Sequence, residues 1–220
     1  MDRGKILKDI SAKHLALLKE VPAKLKHKLF LTGGTVAFLY GSERPFSNDL
    51  DYMIPKNMIS DFEKASGARF WHHRAKPIFH SLKTVINTQG TSYDIIAESI
   101  VMPENDKREY AFYLTDQIIK RSFSFRIPDS GILIKCIPAE LIVLLKLLAG
   151  RGKKSGKYDL YDICSIIENE ELNMDFFGDL ISQFCEGALP FLIKNAKKAK
   201  SEYSCSKMGK IISFLELFRP

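Results

Sequence analysis

The sequence predicts an α+β protein: an N-terminal domain of mixed strands and helices over residues 1–137, and a helical C-terminal domain over residues 138–220. Three observations point there. Short, β-branched or aromatic segments bounded by turn residues recur between residues 28 and 136, as strands require. A strand, a double glycine and an apolar helix follow one another at residues 28–40. From Pro138 onward the apolar spacing turns wholly helical, and proline suits the start of a helix.

Residues 5–20 open the chain with Ile6, Ile10, His14, Leu15, Leu17 and Leu18 near a 3.6-residue period, which predicts an amphipathic helix. Residues 28–32 form a strand, Gly33-Gly34 break it, and residues 35–40 make a buried helix ending at Gly41. Residues 49–54 resume as a strand before Pro55, and Ile59, Phe62 and Ala65 mark a helix after it. Residues 69–74, 81–88 and 92–97 are further strands, with Gln89-Gly90 as a hairpin turn. Another hairpin is expected from residues 118–126 and 131–136 about Pro128-Asp129-Ser130-Gly131. Helices follow at 138–149, 158–168, 174–185, 188–203 and 207–218.

Composition narrows the class. With 45% hydrophobic and 27% charged residues, the chain is that of an ordinary folded protein. No run of about 18 uncharged apolar residues and no signal-peptide core occurs, so no membrane association and a cytoplasmic location are expected. Cys136, Cys164, Cys185 and Cys205 are far apart and lack zinc spacing, so reduced thiols are expected. The net charge of +7 suits a polyanionic partner or simply a solvated basic face.

The chemistry concentrates around Gly33-Gly34-Thr35 and Ser47-Asn48-Asp49-Leu50-Asp51. A double glycine lets backbone approach a ligand closely, and the following helix offers N–H groups to phosphate. Alternate residues of a strand share a face, so Asp49 and Asp51 project together and repel. Such a pair calls for a cation, and hard carboxylate oxygens suit Mg²⁺ bound jointly with substrate phosphates. Asp94, a lone acid in the apolar strand Ser92-Tyr93-Asp94-Ile95-Ile96, is the third candidate ligand, with Glu98 as its substitute. Two ions about 3.5–4 Å apart could then hold attacking and leaving oxygens in line across a phosphate.

A second constellation follows. Lys146 lies in the apolar helix Leu141 to Leu148, where an ammonium needs a partner; it reads as a triphosphate ligand or as a lysine snorkelling from the helix edge. Asp159 and Asp162, three apart on a helix, share a face and could anchor Lys146 or Arg151. Residues 151–157 form a basic glycine-containing loop suited to phosphate or RNA backbone. Lys194, Lys197, Lys198 and Lys200 add either a second basic cluster or a solvated face.

The pattern Gly33-Gly34-Thr35, Arg44, Ser47 and Asp49-x-Asp51 resembles nucleotidyltransferases of the AbiEii type, the toxins of abortive-infection toxin–antitoxin pairs, within the DNA polymerase β-like superfamily. The block Pro138-Ala139-Glu140 to Lys146, then Arg151 and Lys157-Tyr158-Asp159-Leu160-Tyr161-Asp162, resembles that family's later motifs. Arg44 stands three residues before Ser47, whereas the family usually spaces them by two. The resemblance implies a nucleotidyltransferase-fold mixed sheet with flanking helices and transfer of a nucleoside monophosphate from a nucleoside triphosphate to a hydroxyl. Together with the reading of the residues, this makes Asp49, Asp51 and Asp94 the expected ligands of Mg²⁺, two ions in all, and Gly33, Gly34, Thr35, Arg44, Ser47 and Lys146 the expected contacts of the nucleotide. The resemblance favours Asp159 as a further site residue, tRNA or another RNA as acceptor, and an antitoxin protein as partner. A small-molecule acceptor and a non-catalytic nucleotide- or RNA-binding module are the alternatives.

Overall fold

The computed structural model describes residues 2–45, 49–76, 79–103 and 107–218. The chain is α+β, as the sequence predicts: a mixed sheet with helices packed against it, and helices throughout the last third. Helix α1 (Arg3–Glu20) is started by the Asp2 carboxylate, which accepts from the N–H groups of Gly4 and Lys5. A 3-10 segment, Ala23–Lys28, takes the first residue of the strand expected at 28–32, leaving β1 as Phe30–Thr32. Helix α2 (Gly33–Leu39) begins at the first glycine and not at Thr35. Strand β2 (Leu50–Met53) and helix α3 (Ile59–Ser66) follow.

Strands β3 (Trp71–Lys76), β4 (Phe79–Thr88) and β5 (Thr91–Val101) form an antiparallel meander, with Gln89 and Gly90 both at positive φ in the last turn. A short strand β6 (Tyr110–Phe112), which the sequence reading omitted, pairs with the end of β5. The strand expected from residue 118 is instead a helix followed by a strand. Thr115 accepts from the Ile118 N–H to start α4 (Asp116–Arg121), and only β7 (Phe123–Arg126) is extended. Its partner β8 (Leu133–Cys136) completes the hairpin. Helices α5 (Ala139–Ala149), α6 (Asp159–Asn169), α7 (Met174–Phe184), α8 (Leu189–Tyr203) and α9 (Met208–Leu217) complete the chain.

Among the described residues the strands run in the order β3-β4-β5-β2-β1-β8-β7. Two parallel pairings, β2 with β5 and β1 with β8, place β1 and β2 at the centre. One sheet face is lined by Leu50, Tyr52, Tyr93 and Ile95, all fully buried. Helix α1 packs there: His14 Nδ1 lies 2.8 Å from the Tyr52 hydroxyl, and the Tyr93 hydroxyl donates to the Lys13 carbonyl at 2.9 Å. Burial holds the His14 imidazole down to about 4, so it is neutral at neutral pH. The opposite face carries Asp51 and Asp94 and looks toward α5 and α6.

Helix α5 is buried along its whole length, packed by α6, α7 and α8. Its last carbonyls are satisfied from α8: Asn195 donates to Leu147 at 2.7 Å and Lys198 to Gly150 at 3.1 Å. Lys197 pairs with Glu216 at 2.7 Å, so two lysines of the expected second basic cluster hold helices together. The hydrophobic core is continuous from α1 through α9, across the boundary drawn at residue 138. All four cysteines are free and buried. Among the described residues no single helix is long and apolar enough to cross a membrane.

Candidate functional site

Asp51 sits in mid-sheet, opposite Thr32 of β1 and Asp94 of β5. Directly paired residues of neighbouring strands point to the same face, so the parallel register brings the Asp51 and Asp94 carboxylates together. Asp49 lies just before β2 and, with them, lines a cavity of about 220 Å³. Asp51 records the crowding: burial first, then repulsion from Asp94 and Asp49, pushes its carboxyl up to about 6, despite relief from Lys83 and Lys146. Lys83 Nζ approaches Asp94 Oδ2 at 2.5 Å, an ion pair across the β4–β5 ladder.

The donor set is three carboxylates on one cavity, with charge that a divalent cation would neutralise. Mg²⁺ takes one or two carboxylates and completes its shell with water and phosphate oxygens, so the chemistry fits. The carboxylates are not gathered on one point: among the described residues no three His, Cys, Asp or Glu side chains form a ready cage. Asp94 is instead held by the Lys83 ammonium. Glu98 is excluded as its substitute. One extra residue of β5 opposite the Leu82–Lys83 step interrupts the alternation. Ser99 therefore joins Ile96 on the cavity wall, and Glu98 pairs with Lys56 elsewhere.

The glycines make room. Gly33 adopts φ +68, and a Cβ there would run into the Asp51 carboxylate. A Cβ at Gly34 would lie 2.6 Å from the Arg44 guanidinium. Thr35, buried, donates from its hydroxyl to the Asp49 carbonyl at 3.4 Å and ties the carboxylate loop to α2. Ser47 lies outside the described residues.

A second cavity of about 480 Å³ adjoins the first, sharing Gly34, Arg44 and Asp51, and its far wall carries Lys146, Arg151, Lys157 and Asp159. Lys146 is buried rather than snorkelling, bonded to Asp162 at 2.8 Å and Asp159 at 3.3 Å. Arg151 holds Asp159 through Nε at 2.6 Å. Asp162, fully buried, also accepts from Arg44 at 3.0 Å and from the Ser42 hydroxyl at 3.0 Å. Three cations and two carboxylates thus alternate, and the surplus positive charge faces the acids of β2 and β5. Asp162 aims Arg44 and Lys146, while Asp159 reaches the cavity.

No protein-family model and no curated protein matches the sequence. Solved structures do resemble it in chain path. A proposed nucleotidyltransferase from Thermotoga maritima aligns over 64% of this chain and 82% of its own, at 15% identity and TM-score 0.40. A proposed nucleotidyltransferase from Helicobacter pylori aligns over 93% and 88%, at 17% identity and TM-score 0.38. An antigenic nucleotidyltransferase-like protein from Paracoccidioides brasiliensis aligns over 98% and 93%, at 16% identity and TM-score 0.39. At these values the likeness carries no argument about chemistry.

Lys83, Ser42 and the rings of Tyr158 and Phe79 also belong to the site, beyond the residues expected from the sequence. Lys83 shares a face with Val85, which stands opposite Asp94, so the alternation within residues 81–88 would have found it once the hairpin register was known. Ser42 carries no sequence signal of its bond to Asp162. Tyr158 stacks under the Arg44 guanidinium at 5.2 Å, and Phe79 under that of Arg151 at 4.7 Å. No spacing signal marks either ring.

Proposed function

We propose that this chain transfers a nucleoside monophosphate from a nucleoside triphosphate to a hydroxyl acceptor, releasing pyrophosphate. The observation that carries the reading is Asp51. It is crowded by Asp49 and Asp94 on one cavity, with a cation-rich wall in the cavity beside it. The acceptor oxygen bonds to the α-phosphorus, the α–β phosphoanhydride bond breaks, and the hydroxyl proton is released. Mg²⁺, held by Asp49, Asp51 and Asp94 together with phosphate oxygens, would supply Lewis-acid polarisation and charge neutralisation. Lys146 and Arg151, in positions fixed in advance by Asp159 and Asp162, take up the negative charge of the departing pyrophosphate, with Lys157 on the same cavity wall. Arg44, shared by both cavities, reaches the phosphates where they pass from one to the other. Gly33 and Gly34 keep that passage open.

The likeness of residues 30–165 to AbiEii-type toxins supports an RNA acceptor, tRNA among the candidates, and an antitoxin partner. The test is to incubate the protein with labelled triphosphates, Mg²⁺ and cellular RNA. Wild type labels RNA, and Asp51→Asn, still folded, loses at least about a hundredfold; full activity in that variant removes the proposal. The Lys83–Asp94 ion pair favours a second reading, a nucleotide-binding module without turnover. Calorimetry showing triphosphate binding indifferent to Mg²⁺, with no product from any acceptor, would select it.

A further inference from the structure

Beside the candidate site a groove of about 420 Å³ is walled by Lys153, Gly156, Lys157, Tyr158, Tyr161 and Tyr203. It is contiguous with the larger cavity, because Gly156, Lys157 and Tyr158 line both. The three tyrosines form an edge-to-face row, with ring centroids 6.4 Å apart from Tyr158 to Tyr161 and 5.5 Å from Tyr161 to Tyr203. Tyr158 is 40% exposed, although large aromatic side chains are usually covered. At the rim stand the exposed Lys153 and Lys157 of the 151–157 loop. Lys153 is fixed there by the Glu202 carbonyl at 3.2 Å and by the Tyr203 ring at 4.9 Å. The Glu202 carboxylate accepts from the Lys153 N–H at 3.4 Å.

We propose that this groove seats the single-stranded end of an RNA, with bases against the tyrosine row and phosphates against the lysine rim, and leads its terminal hydroxyl toward Asp51. Aromatic rings interleaved with cations suit unpaired nucleotides, because every base has a face to stack and every linkage a charge to meet. A duplex hides its base faces and would touch only the rim. An aliphatic partner is poorly served, since the walls are phenol rings and ammonium groups. The delivery of the hydroxyl rests on the transfer reaction proposed above; the binding itself does not.

The test is fluorescence anisotropy of a labelled short oligoribonucleotide with the full chain, single-stranded and then annealed to its complement. The single strand binds more tightly than the duplex. Tyr161→Leu weakens it about tenfold while Tyr161→Phe, which keeps the ring, does not, and Tyr158→Ser behaves as Tyr161→Leu. Lys157→Gln lowers the slope of log affinity against log salt by about 1. Wild-type affinity in both Tyr161→Leu and Tyr158→Ser, equal binding of duplex and single strand, or displacement by poly-glutamate as readily as by RNA overturns the proposal. Tyr158→Ser alters an exposed side chain and keeps the test decisive if Tyr161→Leu does not fold. RNA binding without label transfer would sink the reaction and leave the groove. A Mg²⁺-triphosphate thermal shift with label transfer to a small hydroxyl compound, but no RNA binding, would sink the groove and leave the reaction.

Discussion

Asp51 ionises where burial and two neighbouring carboxylates oppose its charge, so its carboxyl stands at about 6 when folded, against about 3.9 in an unfolded chain. Below about pH 4 it is protonated in both states and costs nothing. As pH rises toward 6 the unfolded chain ionises first and the native state loses stability, in full above that. Asp51→Asn should therefore raise stability in metal-free buffer at pH 8 by on the order of 3 kcal/mol, an advantage that fades between pH 6 and pH 4. Urea unfolding of both proteins across this range checks it, and an equal difference at pH 4 and pH 8 would contradict it. His14 behaves oppositely: held down to about 4, it takes stability away as pH falls below about 6.5, equally in both proteins. Asp49 and Asp51 were legible because strand alternation alone puts them together. Lys83 was not, because its approach to Asp94 depends on how β4 registers against β5, and no local signal states that.

Among the turns, Gly33 and Gly67 allow a direct comparison. Both have positive φ, +68 and +73, but a Cβ at Gly33 would strike Asp51 whereas at Gly67 it would meet nothing within 4 Å. Gly67→Ala should cost only the backbone strain, about 1–2 kcal/mol. Gly33→Ala should cost more and also abolish Mg²⁺-dependent triphosphate binding, as read by urea unfolding and calorimetry; equal effects at the two sites would show that Asp51 is not confined there. The double glycine was readable as a close approach, but its tenants, a carboxylate and a guanidinium, were not. Helix α4 was mistaken for strand because Ile118, Ile119 and Phe123 satisfy either period over so short a run. The Thr115 cap decides it. Strand β6 is three residues long and carries too little pattern to register.

Residues 1–137 and 138–220 share one core and one charge network. Ser42 and Arg44 from the first part meet Asp162 from the second, and α2 packs on α6. Removing residues 138–220 would expose the fully buried inner surfaces that α5 covers. A fragment of residues 1–137 is therefore expected to lack fixed tertiary packing, seen as a lost near-ultraviolet circular dichroism signal and non-cooperative urea unfolding. A sharp transition in the fragment would show a self-sufficient unit. The change of pattern at Pro138 was visible because helical spacing begins there. The interface was not, since α5 is apolar on all sides and its spacing names no particular neighbour.

The pairing of β2 with β5 also bears on how the chain acquires its shape. Those strands run in the same direction, so they cannot be joined by a tight turn; α3, β3 and β4 must be traversed between them. Nearby hairpins close fast, whereas distant partners wait on the entropy of a longer loop. The acidic pair therefore comes together after the meander that delivers Asp94, and counterions in the refolding buffer would ease that late step.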